Sequence, residues 1–416
     1  MTPLAHRDPA ARLAALADPG TLVLDPPVGA SRDLARFGIA ARDDDGVTTG
    51  AAAIDGRAVL VAAQDERFLR GAVGAMHGRA LAALAARALV ERPFAVVLVL
   101  ASGGVRLHEA NAAELTLARV VKALVDVRAS GVPVVAIAAG DVFGGASVLA
   151  GACDRLALLP RVRFGVSGPG VIEAARGRDE IAADDADAVA RVFGAPARAA
   201  AGIADLIEDD AATLRAWIGL AIRDAVPFER RVRDVQARLV ERIGFERADA
   251  PWVDREGGIA VVRAAGTTFG AHEALAIDAE LLASLDAGGL TDVTLVEDSL
   301  GHEPTRAAEA AGLAQFLGHH ACVIGLLRAR GVHVAARLVG TGHSAAFFAN
   351  GLQADRVEAL SDARVVAMEA PAMARVLRLD PVRLASLIED DPLLGHPVRH
   401  FAALGGATLV ASASGA

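Results

Sequence analysis

The chain repeats itself. Around Gly131 it reads GVPVVAIAAGDVFGGASVLAGACDR and around Gly331 it reads GVHVAARLVGTGHSAAFFANGLQADR, each an apolar strand that runs into a glycine-bearing loop and then a helix of small residues. Gly131 and Gly331 stand 200 residues apart, as do Gly140 and Gly340. A second pair, FAVVLVLASGGVRLHEAN from Phe94 and TDVTLVEDSLGHEPTRAAE from Thr291, has the pattern of a buried strand, a turn and a polar-started helix. Such a repeat implies two copies of one fold, and 416 residues suit two domains of about 200 residues each. Strand alternating with helix implies a mainly parallel sheet in each copy. The four strand–loop–helix junctions, two per half, are where chemistry is expected.

Pro9 to Ala17 reads as a short helix closed by Asp18, Pro19 and Gly20. GVTTGAAAIDGRAVLVAAQ from Gly46 reads as a hairpin turning at Asp55-Gly56, a strong short-range signal. Ala211 to Glu241, with alternating charges and apolar residues at helical spacing, reads as one or two helices. Phe245 to Gly257 contains Ala-Asp-Ala-Pro and reads as a connector. The expected division is a first domain over 1–244, a linker over 245–257 and a second domain over 258–416.

Apolar residues make up 53% of the chain and mean hydropathy is +0.39, values that alone would admit a membrane protein. The arrangement points elsewhere: the strongest apolar stretches are short and end in glycine or charge, below the roughly 18 residues a spanning helix needs. A net charge of −9 without a basic run argues against nucleic acid as a partner. The charged N-terminal segment lacks the apolar run of a signal peptide, so a cytoplasmic protein is expected. Cys153 and Cys322 form no metal or disulfide framework and are expected in the core, with no metal site.

A strand that ends in Gly-Gly and turns into a helix leaves backbone N–H groups without partners, and such groups bind negative charge. Ser102-Gly103-Gly104 and Phe143-Gly144-Gly145-Ala146 have this form. Their natural ligand is an oxyanion, either a phosphate or a thioester enolate. A phosphate loop would carry GxxxxGKS or GxxxxGKT; Lys122 is the only lysine, and no such motif exists. Gly pairs also serve as plain tight turns. The second-half loop, Gly340 to Ala345, keeps the shape with different residues.

These motifs lead to a family. LASGGVRLHEAN, FGGASVLAGACDRL and SGPGVIEA resemble the β subunit of biotin-independent malonate decarboxylase, in the carboxyltransferase branch of the crotonase superfamily. GHSAAFFANGLQADRVEALSDARVVAMEAPAMARV is similar to the γ subunit of the same enzyme. The resemblance covers nearly the whole chain in order, like a fusion of β and γ. It implies an α/β fold of two tandem crotonase-like domains, the β-β-α superhelix also seen in Clp-type proteases. It also implies decarboxylation of a malonyl thioester on an acyl carrier protein to the acetyl thioester. No cofactor would be held covalently; the carrier's CoA-derived prosthetic group would be the substrate arm. Partners would be the carrier protein and an α subunit that exchanges acetyl for malonyl, with a homodimer or larger assembly.

By position, the resemblance makes Gly103, Gly104, Gly144 and Gly145 oxyanion-hole residues of the first domain, and Gly342, Ser344 and Ala345 those of the second. Phe143, Ala146, Pro169 and His343 fall on substrate contacts, with Arg79, Arg67 and Arg70 toward the arm's phosphates. Ser344 reads equally as a helix N-cap. Glu109 and Glu173 are candidate proton donors, with structural roles as the alternative. The chain departs from the family at Gly170, at Ala75 and Arg79, and in the loop Ser299 to Glu303. Rival readings are a biotin-dependent acyl-CoA carboxyltransferase, a ClpP-like serine hydrolase using Ser147 with His77 or His108, and a second domain that serves only for carrier docking.

Overall fold

The computed structural model describes residues 3–246, 253–263, 266 and 268–411. In the first half, β1 (Val23–Leu24), β2 (Val47–Ile54), β3 (Arg57–Gln64), β4 (Ala95–Ser102), β5 (Val134–Val142), β6 (Arg155–Leu158) and β7 (Asp205–Leu206) lie side by side in chain order. The first three are antiparallel neighbours and the rest run parallel. Asp55 and Gly56 both have positive φ, 49° and 72°, the two-residue turn whose twist matches a hairpin. β4 is buried at every position, as the middle of a parallel sheet requires.

In the second half the strands are β8 (Val253–Glu256), β9 (Ile259–Arg263), β10 (Asp292–Glu297), β11 (His333–Leu338), β12 (Thr341–His343), β13 (Arg356–Leu360), β14 (Arg364–Val366) and β15 (Thr408–Val410). The main sheet runs β15-β13-β11-β10-β9-β8, with β12 and β14 paired apart from it. Again an antiparallel hairpin, β8–β9, leads into parallel strands. Residues 253–256, expected in the connector, are therefore sheet: Gly257, at φ 59°, turns them back onto β9. The connector's residues 247–252 lie outside the described residues. The expected helical stretch from Ala211 is two helices, Ala211–Arg223 and Phe228–Ile243, separated by Pro227, which has no N–H to continue a helix.

The repeat extends to individual hydrogen bonds. Val134 N donates to Asp154 Oδ2 (2.9 Å) and Asp154 N to Val134 O (2.7 Å). Val334 N donates to Asp355 Oδ2 (3.1 Å) and Asp355 N to Val334 O (2.8 Å). Arg128 binds Ala152 O and Asp154 in the first copy; Arg328 binds Gln353 O and lies 3.8 Å from Asp355 in the second. Each bracket closes a strand–loop–helix unit at its base, so the two glycine loops spring from the same frame.

The domains share one apolar core. The helix Leu313–Ala329 of the second packs on Ala110–Ala129 and Gly145–Gly151 of the first. Contact is backbone to backbone at Gly318, where a Cβ would come 2.5 Å from Ala152 N. Cys322 is buried and Cys153 half-buried, both as free thiols. Among the described residues, no helix is long and apolar enough to cross a membrane, and no group of His, Cys, Asp or Glu is placed to hold a metal ion.

Glu114, in the Ala110–Ala129 helix, is buried, and burial pushes its carboxyl from 4.5 up to about 8. A raised carboxyl pKa favours the folded protein at low pH, and that contribution is lost as pH rises from the unfolded value through about 8. Glu114→Gln is therefore expected to flatten the fall in stability between pH 5 and 8. The slope removed is up to about 1.4 kcal/mol per pH unit, read from urea unfolding at several pH values.

Candidate functional site

The loops after β4 and β5 meet. Phe143 N donates to Ser102 O (2.9 Å), joining them, and a Cβ at Gly104 would lie 2.9 Å from Phe143 O and 3.4 Å from Gly145 N. Gly104 has φ 93°, so glycine is required there both by conformation and by the space in front of Gly145 N. Between Leu100 and Ser102 the β4–β5 register jumps from Ala138 to Val142, an irregularity that ends the regular ladder as the strands reach the loops.

Of the four glycine amides expected to line the hole, three are used within the protein. Gly103 N donates to Arg70 O (2.8 Å), Gly104 N to Ser102 Oγ (3.2 Å) and Gly144 N to Val166 O (2.9 Å). Gly145 N finds no acceptor among the described residues, and neither do Ala146 N and Val105 N. The donors left open on this rim are therefore Val105, Gly145 and Ala146. Phe143 contributes through its backbone: its ring packs on Phe193 (5.8 Å between centroids) in a satellite core with Ile172 rather than facing a ligand. Pro169 opens the helix Pro169–Arg176 beside that core.

The second domain repeats the geometry with other residues. Gly301 has φ 95°, close to Gly104, and Phe269 N donates to Gly301 O (2.8 Å) as Val73 N donates to Gly104 O (2.8 Å). His302 then occupies the bridge position of Val105, and Ser344 that of Gly144. The amides of His302, Ala345 and Ala346 have no acceptor among the described residues. Gly342 lies in β12, its space filled by the Phe347 ring. Ser344 makes no capping bond, so the N-cap alternative does not hold: it begins the helix Ser344–Ala349 at φ 50°, where glycine stood in the first copy at φ 59°. The His343 ring lies over Gly301, donating from Nδ1 to Leu300 O (3.0 Å), with Nε2 3.4 Å from Glu369.

Four residues outside the expected set tie the two rims together. Ser167, one residue beyond the carbonyl that holds Gly144 N, has its Oγ 2.8 Å from His302 Nε2. Burial, with His343 nearby, lowers the His302 pKa to about 4, so its ring is neutral near pH 7; its Nδ1 is buried without a partner. Glu309 reaches from the second domain to accept the amides of Val166 (3.1 Å) and Ser167 (2.5 Å). Arg198 donates from Nε to Phe164 O (2.8 Å) and lies 3.6 Å from Glu309 Oε2. Burial dominates both groups, pushing Glu309 up to about 7 and Arg198 down to about 10. His302 was signalled by the departing loop Ser299 to Glu303; Glu309 had no signal before the domains were docked.

The remaining candidates divide. Glu109 is buried in a cluster with Ser31 and Arg106 (3.0 Å), where Arg106 also holds Asp45 (2.8 Å), and Glu173 accepts Ala183 N (2.6 Å). Both carboxylates thus have structural partners. Burial opposes ionisation of Asp65, but hydrogen bonds from Arg67 and Arg42 hold its carboxyl down at about 2, and Arg67 is committed to it. Arg70 and Arg79 are exposed with no ion pair among the described residues, and Arg70 sits beside Gly103 with a left-handed backbone, φ 58°, next to Leu69 at φ 49°. Ser147 is buried and donates to Gly144 O (2.7 Å), while His77 pairs with Gln64; no histidine meets the serine, which removes the hydrolase arrangement.

Two tandem crotonase-like α/β domains define a protein of the carboxyltransferase class. Residues 12–220 match the family model of the carboxyl transferase domain, and residues 264–415 that of the malonate decarboxylase gamma subunit. A chain of the Pseudomonas malonate decarboxylase hetero-tetramer solved with malonate is 30% identical, with a TM-score of 0.53, covering 57% of this chain and 91% of its own. Malonyl-S-ACP:biotin-protein carboxyltransferase of Malonomonas rubra is 33% identical over 39% of this chain and 56% of its own length. The acetyl-coenzyme A carboxylase carboxyl transferase subunits beta/alpha of Salinispora arenicola are 33% identical over 41% of this chain and 33% of their own length. The chain thus spans about half, or less, of the curated relatives it matches. It belongs to the carboxyl transferase family, in the malonate decarboxylase branch, with a γ-subunit-like domain joined behind the carboxyl transferase domain.

Ser344→Gly is expected to stabilise the protein by up to about 1 kcal/mol by relieving a left-handed serine, and Gly144→Ser to destabilise it by at least as much. Urea midpoints of the two variants, moving in opposite directions, check this.

Proposed function

We propose that the chain decarboxylates a malonyl thioester carried on an acyl carrier protein, giving the acetyl thioester through an enolate held by backbone amides. One observation supports this reading most: open amides from two meeting loops, Val105 on one side and Gly145 with Ala146 on the other, while the adjacent Ser147 hydroxyl is buried and donates to Gly144 O. Cleavage of the bond from C2 to the carboxylate releases CO2 and sends the electron pair through C2 into the thioester carbonyl. The oxygen then carries the charge, and each well-placed donor is worth about 2.7–4 kcal/mol at that stage. No base is needed. C2 must then take one proton.

Ser167 and His302 are the groups proposed to deliver that proton. They stand between the two rims: the hydroxyl gives C2 its proton as it takes one from water, and the neutral ring orients it. Arg70 and Arg79, free of carboxylate partners, are assigned to the malonyl carboxylate or the phosphates of the prosthetic arm. The acyl carrier protein, an α subunit that exchanges acetyl for malonyl, and self-association as a dimer or larger are the proposed partners.

A second reading is favoured by one relative, whose printed name is a biotin-protein carboxyltransferase acting on malonyl-S-ACP. There the carboxyl group would pass to biotin on another protein instead of leaving as CO2. Mass spectrometry of the carrier decides between them. Conversion of malonyl to acetyl thioester unaffected by avidin is the expected result; conversion only with a biotin carrier would transfer the assignment to the second reading.

Gly104→Ala, which places a methyl in front of Gly145 N, is expected to lower turnover by about 100-fold or more. His302→Gln is expected to slow acetyl-thioester formation by about 10- to 100-fold with little change in unfolding midpoint. Because His302 stays neutral down to about pH 4, the parent's pH–rate profile should show no inflection near the ordinary histidine value of about 6.5.

A further inference from the structure

Away from the glycine loops, at the C-terminal end of the helix Gly145–Gly151, a cleft of about 390 Å³ opens on the first domain, with Gln315 of the second at its edge. That volume lies within the range of small-molecule sites, about 300–1,000 Å³. Four guanidiniums line it, from Arg155, Arg231, Arg238 and Arg242, against two carboxylates, Asp154 and Asp205. Both carboxylates already have partners, and those of Asp205 include one of these four guanidiniums. Asp154 takes Arg128 (2.8 Å) and Val134 N (2.9 Å) in the bracket described above. Asp205 takes Arg155 (2.6 Å) and Trp217 Nε1 (2.8 Å).

Among the described residues, Arg231, Arg238 and Arg242 pair with no carboxylate side chain. They stand seven and four residues apart on the helix Phe228–Ile243 and so share one face of it. Arg231 donates only to Asp154 O, and Arg242 to Gly202 O (2.9 Å) and to Gln315 of the second domain. Arg238 makes no hydrogen bond or ion pair among the described residues. Burial, then the charge of Arg238, lowers the pKa of both Arg231 and Arg242. Gathering like charges in a half-buried cleft is unfavourable unless an anion accompanies them, and here it occurs in a chain whose net charge is −9.

We propose that this cleft binds a phosphate-bearing small molecule, its phosphate held by Arg238 with Arg231 or Arg242. Arg238 and Arg242 stand one helical turn apart on the same face, near enough for one phosphate group to take both guanidiniums. The rest of the wall, Ala150, Ile203, Val235 and Leu239, is apolar and suits an attached nucleoside. The inference is independent of the decarboxylase reading, since it uses none of the loop residues.

Titration calorimetry on the full chain at low salt, with sodium pyrophosphate, ADP and coenzyme A as separate probes, tests it. Saturable binding of pyrophosphate and ADP is expected, weakened at least about tenfold by Arg238→Glu and by raised salt. Arg238 is exposed and unpartnered, so the variant should keep the parent's unfolding midpoint, measured alongside. The ratio of ADP to coenzyme A affinity tells a free nucleotide from the arm of a coenzyme. Absence of binding by all three probes at millimolar concentration, or binding unchanged in Arg238→Glu, would overturn the proposal.

Discussion

Glu309 is the point at which the two domains and the candidate site become one object. It is a carboxylate of the second domain buried against the loop 165–167 of the first, where it takes two backbone amides and faces Arg198. The carbonyl of Val166 in that loop holds Gly144 N, and Gly144 in turn sets where Gly145 N stands. Burying a carboxylate and a guanidinium together carries a desolvation cost that pairing only offsets when the remaining hydrogen bonds are made. Here they are made to backbone, all but that of Arg198 Nη2, so the pair fixes geometry more than it adds stability. The first domain's rim is shaped by a residue it does not itself encode.

That dependence explains what could be read from the chain beforehand and what could not. Spacing between Gly131 and Gly331 was enough for two domains, and Asp55-Gly56 for the hairpin, because turns and periodicity are local. The glycine loops were legible for the same reason. Which amides stay open was not: Gly103 N is taken by Arg70 and Gly144 N by Val166, residues 33 and 22 positions away, whose approach only the tertiary fold decides. Arg67 and Arg70 looked alike in sequence, yet Asp65 claims the first and leaves the second free. β8 was missed although Gly257-Gly258 is itself a turn signal, since the alanine- and proline-bearing stretch before it reads as a connector. Ser167 and His302 belong to different domains, and nothing short of docking puts them within hydrogen-bond distance.

The two copies have kept their frame and diverged at the rim. Arg128 and Arg328, Asp154 and Asp355 form matching brackets, so the strands deliver their loops at the same height. On the first rim the loop residues are mostly glycine and alanine, and what they present is backbone. On the second, His302 and His343 stand where the first has Val105 and Phe143, and the surface presents imidazole. Open amides on one side and imidazole rings on the other give the two rims different chemistry.

Ser344 shows what this divergence did to motion. A serine kept in the left-handed region is held there by its surroundings, with strain of about 1 kcal/mol or more that any local opening releases. Gly144, on the same backbone path, holds no such strain. Spontaneous breathing of the site should therefore begin on the second rim, with amide exchange at Ala345 and Ala346 outpacing that at Gly145 and Ala146. The first rim would then serve as the stationary wall against which the other opens and closes.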